Sequence, residues 1–437
     1  MKNLKCRAAQ LLLCTITTLL LASATSAQTP APLRLGDLYA VARTTPRIDA
    51  AKAVVVAARA RIPSSKLPPD PELQLGFMNR SLPSLRPMDP LGMTQIQLMQ
   101  MIPLPGKLRL AGRIASAQAS AAIARATDIE WDVRSRVAMV FYDLYRIDRS
   151  LSITRETKRV VQDIARTAQS MYSVGQGRQA DVLRSQIEVA RMTEEITRME
   201  TMLLSMQGRL AATLNLPLDT VQRDVILPSL PDTLPPLAQL IQLAESNRPM
   251  ILAGQKDLDA RMAGERLASK EILPDLQLGV QYGQNRSAMG TERMGSLMIG
   301  ASLPIYARSR QLRMREEASA MKIMAAADLA AMRADTRGRV TELYADFTRA
   351  HNLIALYRTT VIPQAKAAIT ASLAAYRVGE VNFMTLRDNQ LTVNTYQQEL
   401  FTLEAEKGKA IAELEMMLGK PLFDATESGN NNARTGQ

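Results

Sequence analysis

The sequence has almost none of the side chains from which most enzyme sites are built. Its 437 residues include two cysteines, Cys6 and Cys14, and one histidine, His351. Cysteine–histidine nucleophilic sites and metal cages with several Cys or His ligands are therefore excluded within one chain. No group of Asp and Glu stands out from the helical charge pattern to replace them. The sequence predicts no enzyme, no metal site and no cofactor.

Long hydrophobic runs are missing beyond the N-terminus. Residues 1–27 combine Lys2, Lys5 and Arg7 with an apolar run and small residues, a pattern typical of a secretory signal. Both cysteines lie in that segment, so the exported chain is expected to have no disulfide and to depend on packing. Since no later run of 18 apolar residues exists, any membrane crossing must use β-strands.

A concentrated basic surface is also absent. The formal net charge is +12, but the charges are spread over mixed-sign helical segments and form no basic block. Because nucleic-acid binding depends on clustered cations, we predict no nucleic-acid partner.

The chain is instead rich in long-period repetition. Residues 71–76 read Pro-Glu-Leu-Gln-Leu-Gly, and residues 274–279 read Pro-Asp-Leu-Gln-Leu-Gly. Residues 172–175, Tyr-Ser-Val-Gly, recur as Tyr-Arg-Val-Gly at 376–379. So long a period indicates a duplicated unit of domain size. We predict repeats over 35–220 and 237–422, followed by a disordered tail over 423–437.

Each repeat contains a segment with period-two alternation, which predicts β-strands. Leu73, Leu75 and Phe77 alternate with polar residues and glycine, a second strand surrounds Ile96, and the second repeat has the same pattern around a loop at Asn285–Arg293. Alternation suits hairpins packed on helices in a soluble protein and also suits a membrane barrel. The Gln/Gly face favours a wet lumen. Since four strands cannot close a barrel, it would be shared between subunits.

Long helical stretches surround these strands. An opening helix is predicted over Leu35–Lys66, and a proline-free stretch over Lys107–Tyr172 would span about 100 Å. A heptad seam runs along it at Val133, Val137, Val140, Leu144, Ile147 and Leu151. Return helices over Gln179–Leu214 and Phe383–Leu418 would span only about 54 Å. The opening helix has the length needed to stack end to end on the return helix, and Pro363 should kink the second long helix.

The order of these elements resembles that of the TolC-type outer-membrane efflux channels. A helix, two strands, a long helix, a Val-Gly turn and a return helix follow one another, and the whole series occurs twice. The resemblance implies a mostly α protein with a small β part. It implies a homotrimer whose three chains share a 12-stranded transmembrane β-barrel, four strands each, and a long α-helical barrel. The expected location is the outer membrane of a Gram-negative bacterium, among its lipids, with the helices reaching into the periplasm.

The resemblance also implies partners and site residues. The chain would be the exit channel of a tripartite pump, fed by a periplasmic adaptor (membrane fusion) protein and an inner-membrane transporter of the RND type. The expected adaptor-docking tips are Val174, Gly175, Val378 and Gly379, and the expected pore constriction comprises Asp388, Thr385 and Arg377. Thr385 stands where the family has a second carboxylate. The alternatives are a periplasmic adaptor, which would show one hairpin with more strands, and a coiled-coil scaffold.

The methionines are relevant to the nature of the transported substrate, which we expect to be a metal ion or a drug. The stretches at 89–93 and 102–107 are similar to the heavy-metal branch of these channels, and Met78, Met88, Met93, Met99 and Met101 cluster near the strands. Thioethers bind soft metals, but methionine also fills gaps in packed structure, which is the interpretation we prefer here.

Overall fold

The computed structural model describes residues 32–84, 86–87, 92–287 and 290–423. The predicted signal segment 1–27, Met88 and residues 424–437 of the predicted tail lie outside the described residues. Phe423, at the start of that tail, packs against the cluster of Phe347, Ala410 and Ile411.

Long helices dominate the described chain. They are α1 (Leu35–Ala42), α2 (Pro46–Ser64), α3 (Lys107–Ser173), α4 (Gln179–Leu214), α5 (Leu237–Asn247), α6 (Pro249–Lys270), α7 (Gln311–Leu356), α8 (Ile362–Arg377) and α9 (Phe383–Leu418). A 3₁₀ turn, Leu218–Thr220, follows α4. None of the described helices is long and apolar enough to cross a membrane.

The strands form one four-stranded antiparallel sheet of order β1-β4-β5-β6 and a small β2-β3 pair. Their bounds are β1 (Glu72–Met78), β2 (Arg80–Ser81), β3 (Arg86–Pro87), β4 (Met93–Ile102), β5 (Leu276–Ser287) and β6 (Gly290–Ala301). Each repeat contributes two strands to the larger sheet, and β4 pairs with β5 across the repeats. Within this single chain, β1 and β6 are the edge strands.

The register gives the sheet one apolar and one polar face. One row joins Leu73, Leu98, Val280 and Leu297, and all four side chains are exposed. The row next to it joins Gln74, Gln97, Gln281 and Ser296 on the opposite face. The predicted alternation is therefore confirmed.

The loop predicted at Asn285–Arg293 was too long. Asn285 pairs with Glu292, and the ladder continues to the pair of Ser287 and Gly290. The polarity of these residues favours a loop when the sequence is taken alone. A β-ladder depends on backbone hydrogen bonds, which polar side chains do not interrupt.

The single opening helix predicted over Leu35–Lys66 was also wrong, because the chain breaks between α1 and α2. Thr45 is extended, with φ −75° and ψ 146°, and it precedes Pro46. Proline disfavours helical geometry in the residue before it. The second repeat breaks in the same way at Arg248, before Pro249.

The predicted end-to-end stacking is confirmed. Gly419, which caps α9, lies so close to the start of α6 that an added methyl group would be 2.9 Å from the Asn247 carbonyl oxygen. In the first repeat, the start of α2 and the end of α4 line one cavity of about 330 Å³, with Thr45, Pro46, Ala212, Thr213 and Asn215 in its wall. Each short opening segment thus extends a return helix, although the 19 residues of α2 and the 36 of α4 together stay shorter than the 67 residues of α3.

The second long helix changes its hydrogen-bond pattern near Pro363, as expected. A π-helical turn, Tyr357–Val361, separates α7 from α8. Proline has no N–H for the carbonyl four residues earlier, and a wider turn accommodates that loss. The predicted interruption therefore lies directly before the proline.

The core lies along the seam of α3. All six predicted heptad residues are buried, at no more than 4% exposure. The helix packs on α2, α4, α6 and α9. Polar contacts follow its interface with α9, where Tyr145 donates to Glu404 over 2.6 Å and Arg134 donates to Glu415 over 3.0 Å. Burial raises the pKa of Glu415, and the positive charge of Arg134 opposes that effect.

A buried lysine ties the sheet to the helices. Lys107, the first residue of α3, is 5% exposed. Its Nζ donates to the Asp275 carboxylate over 2.8 Å and to the Leu273 carbonyl oxygen over 3.0 Å. Asp275 is the acidic residue of the duplicated Pro-Asp-Leu motif, and its backbone N–H donates to the Ser302 hydroxyl. The clamp joins the end of β4 to both strands of the second repeat.

We expect Lys107→Met to destabilise this junction. Breaking a buried ion pair costs about 3–5 kcal/mol, and the figure here should be about 2–3 kcal/mol because Asp275 keeps some contact with water. Thermal unfolding of the detergent-solubilised protein measures the effect. Lys52→Met on α2, where the lysine is exposed, is the matched control. Equal melting temperatures for the two variants would contradict the clamp.

Candidate functional site

Both Val-Gly pairs end a long helix in a left-handed turn. Gly175 has φ +75° and Gly379 has φ +79°. The Gln176 N–H donates to the Met171 carbonyl over 2.9 Å, and the Glu380 N–H donates to the Ala375 carbonyl over 3.0 Å. These bonds satisfy carbonyl groups that the helix end leaves free. The hairpin turns therefore have the same backbone in both repeats.

The tips are open to their surroundings. A methyl group added at Gly175 or Gly379 would meet no atom within 4 Å, so each glycine is needed for its backbone angle alone. Val174 is 66% exposed and Val378 is 71% exposed. Sequence reasoning missed Gly177, where an added methyl group would lie 2.8 Å from the backbone nitrogen of Tyr172. Its place in a short Gly-x-Gly turn was the available signal.

The two tips differ in how their tyrosines pack. Tyr172 is 42% exposed, whereas Tyr376 is 5% exposed. Tyr376 packs with Phe383, Leu386 and Ile164, so the second tip rests on the first long helix. Burial, and after it the charge of Asp181, raises the pKa of Tyr376. The second hairpin is thereby anchored, while the tyrosine of the first faces solvent.

Thr385 takes part in starting α9. The Asn382 side-chain oxygen accepts from the Thr385 backbone N–H over 3.0 Å and from its hydroxyl over 3.1 Å. Asparagine is a favoured N-cap because its oxygen satisfies a free N–H of the first turn. The sequence pattern Asn-x-x-Thr at the start of a helix carries this signal.

Asp388 lies on the exposed face of α9 with a cation beside it. The Arg387 guanidinium donates to the Asp388 carboxylate over 2.7 Å. The same guanidinium lies 3.9 Å from Glu188 on α4, whose side chain is 4% exposed. Asp388 is thus paired within one chain, and Arg387 joins the return helices of the two repeats. Sequence reasoning missed both Arg387 and Glu188.

The exposed face of α9 is polar for several turns. Its solvent-facing residues recur at heptad spacing and are Thr385, Asp388, Thr392, Thr395 and Glu399. Arg377 and Glu380 are exposed at the turn before it. No grouping of three or more His, Cys, Asp or Glu among the described residues has the arrangement of a metal site.

The sequence profile described as outer membrane efflux protein matches residues 38–216 and 240–420. The chain belongs to the outer membrane efflux protein family. The two matched segments follow the duplication, each covering an opening helix, a strand pair and a hairpin. The resemblance drawn from the sequence is confirmed.

Individual relatives agree with this assignment. The cobalt-zinc-cadmium resistance protein CzcC of Cupriavidus metallidurans is 21% identical over 329 residues, covering 73% of this chain and 76% of that protein. The pyoverdine export outer membrane protein OpmQ of Pseudomonas putida is 24% identical over 287 residues, covering 61% and 58%. The solved structure of the outer-membrane channel OprN superposes with a TM-score of 0.76 at 17% identity, covering 91% and 96%.

The family assignment settles the fold class and the location. Its structural neighbours are trimeric channels with a helical barrel and a β-barrel, to which each protomer gives four strands. The chain is accordingly an outer-membrane efflux channel that extends into the periplasm. The family and fold are those of channels rather than enzymes. The adaptor alternative is not favoured, in keeping with the two helical hairpins and the few strands of the described residues.

Proposed function

We propose that this protein is the exit duct of a tripartite pump, docking its periplasmic adaptor through the two Val-Gly tips. The observation that carries the proposal is the pair of left-handed glycine turns with exposed valines at the end of the long helices. α3 begins beside the sheet and has 67 residues, so the first tip stands about 100 Å from the strands. That reach suits a partner in the periplasm.

An inner-membrane transporter of the RND type supplies the substrate in this proposal. The named relatives differ in cargo, since CzcC is named for cobalt, zinc and cadmium and OpmQ for pyoverdine. Both metal ions and organic compounds are thus candidates. Deleting the gene and measuring sensitivity to a panel of metal salts and antibiotics tests the proposal. Unchanged sensitivity to every compound, with the partner pump expressed, would count against an efflux role.

Asp388 and Arg387 form the proposed constriction, together with Thr385 and Arg377. Three copies of an acidic side chain around a pore attract cations. The paired Arg387 supports a modified role, since it offsets the charge of Asp388 and contacts the buried Glu188 on the neighbouring hairpin. The constriction would then be held by ion pairs between helices as well as by a ring of carboxylates.

Single-channel recordings in planar bilayers test this constriction. We expect Asp388→Ala to raise conductance and lower cation selectivity, because the pore loses its carboxylates. Arg387→Gln should raise conductance severalfold, because the substitution removes the guanidinium that joins α9 to Glu188 on α4. Glu399→Gln, about three turns farther along the same exposed face, is the control and should change conductance least. Wild-type conductance in both test variants would show that Asp388 and Arg387 do not form the constriction.

A further inference from the structure

The six methionines of the larger sheet all lie on one face. Strand register places them in rows with glutamine and glycine, on the side opposite Leu73, Leu98, Val280 and Leu297. They are Met78, Met93, Met99, Met101, Met294 and Met298. The other face has no methionine in the described strands.

This distribution argues against methionine as a general apolar filler. A membrane barrel turns its apolar face to lipid and its polar face to the lumen. A residue chosen only for hydrophobicity belongs on the lipid face, where this chain uses leucine, isoleucine, valine and phenylalanine. The methionines lie on the lumen face, where Met78 and Met294 are 44% and 47% exposed.

Two of the methionines converge on Gly279 of β5. Met99 pairs with Gly279 from one side and Met298 pairs with it from the other. A methyl group at Gly279 would lie 3.3 Å from Met298 Cε and 3.5 Å from Met99 Cγ. Each of these carbons is bonded to its sulfur, so both thioether groups lie beside this glycine. Met101 follows Met99 on the same face.

A second group surrounds Gly283, four residues farther along β5. Met294 pairs with Gly283, and a methyl group at that glycine would lie 2.9 Å from Met93 Sδ. Met78 pairs with Met93 on the far side. The absence of a Cβ at each glycine thus leaves the space that the thioethers occupy.

We propose that these groups are two stations for a soft monovalent cation, Ag⁺ or Cu⁺, on the lumen wall. Thioether sulfur is an uncharged soft ligand that selects such ions over harder divalent ones. The inner station is Met99 and Met298 over Gly279, and the outer station is Met93 and Met294 over Gly283. The proposal rests on the chain acting as an efflux channel and names a cargo class for it.

The spacing of the stations suits passage rather than storage. Four residues of strand separate them by about 13 Å. The row of Gln97 and Gln281 lies between them, and Gln281 donates to Gln95, which pairs with Gly283 in the row of the outer station. Conduction requires sites that bind weakly enough to release their ion to the next site. Two neutral thioethers per station provide such weak binding.

Equilibrium dialysis of the purified trimer against Ag⁺ in chloride-free nitrate buffer tests the stations. Leucine preserves the volume of methionine at small cost in stability, so pairwise Met→Leu substitution removes only the sulfur. We expect about two Ag⁺ per protomer to depend on the four methionines, one lost with M99L/M298L and one with M93L/M294L. Met202→Leu with Met262→Leu, two exposed helical methionines, is the control and should lose none.

The outcomes separate this proposal from the channel function. Unchanged Ag⁺ binding in the fourfold Met→Leu variant would overturn the stations, as would an equal loss in the control. Complete loss of Ag⁺ binding after substitution of either methionine pair alone would contradict the proposal that the two stations are separate sites. Zn²⁺ binding should not differ between wild type and the fourfold variant, and a difference would overturn the preference for soft ions. Pore formation in potassium nitrate bilayers reports channel function independently, since neither pair is needed for an open lumen.

Discussion

Valine in place of both Gly175 and Gly379 is expected to abolish resistance to the pump's substrates while trimers still form. Both glycines have φ near +75° to +79°, and a left-handed residue with a Cβ costs about 1–2 kcal/mol, more for a branched side chain. Neither site has an atom within 4 Å of an added methyl group, so the strain stays local. The displaced tips would lose the backbone geometry through which we propose that they dock the adaptor.

The measurement combines drug and metal susceptibility with cross-linking to the adaptor and native gels for the trimer. Gly208→Val on α4 is the matched control, because Gly208 also has open space but ordinary backbone angles. Full resistance in the double tip variant, or equal loss in the control, would show that the tips do not dock the adaptor.

Gly408→Ala should cause the largest loss of stability that a single added carbon produces in this chain. An ideal Cβ at Gly408 would lie 2.3 Å from Tyr142 Cε1, and Tyr142 is fully buried. Overpacking of this kind costs about 1–3 kcal/mol and occasionally more, which exceeds the helix propensity gained by alanine. The expected result is a melting temperature lowered by several degrees. Gly338→Ala on α7, which meets no neighbour, should instead stabilise by about 0.5–1 kcal/mol.

A second substitution tests the cause of that loss. Tyr142→Leu removes the ring that the alanine would strike, so the double variant should be more stable than the sum of the two single effects. Additive effects would show that Gly408 is required for another reason. A stabilised Gly408→Ala variant would mean that α3 and α9 are not packed this closely.

Much of the helical framework was predictable from particular residues. The bounds of α4 and α9 agree with the prediction because each begins after a glycine turn and ends before a proline with a left-handed cap. The heptad seam of α3 was readable because burial selects the same apolar face every three or four residues. The breaks at Thr45 and Arg248 were also encoded, by Pro46 and Pro249, but their effect on the preceding residue was overlooked.

The candidate site was predictable only in part. Asp388 stays a prediction made from the family resemblance and its distance to Gly379, and its partner Arg387 could not be assigned from the sequence, because an adjacent residue can point to either side of a helix surface. Glu188 lies 199 positions earlier in the chain, and only the packing of the two hairpins brings it to Arg387. Thr385 turned out to bond to its N-cap Asn382.

The sequence by itself determined the duplication, the strand and helix periods and the reversal points, since these depend on local spacing and backbone preference. The tertiary structure alone decided which contacts form between segments of the two repeats. It set the register of β4 against β5, the contact of Gly408 with Tyr142, and the pairing of Met99 and Met298 with Gly279. Those outcomes depend on which distant segments share one space, and a one-dimensional pattern does not contain that information.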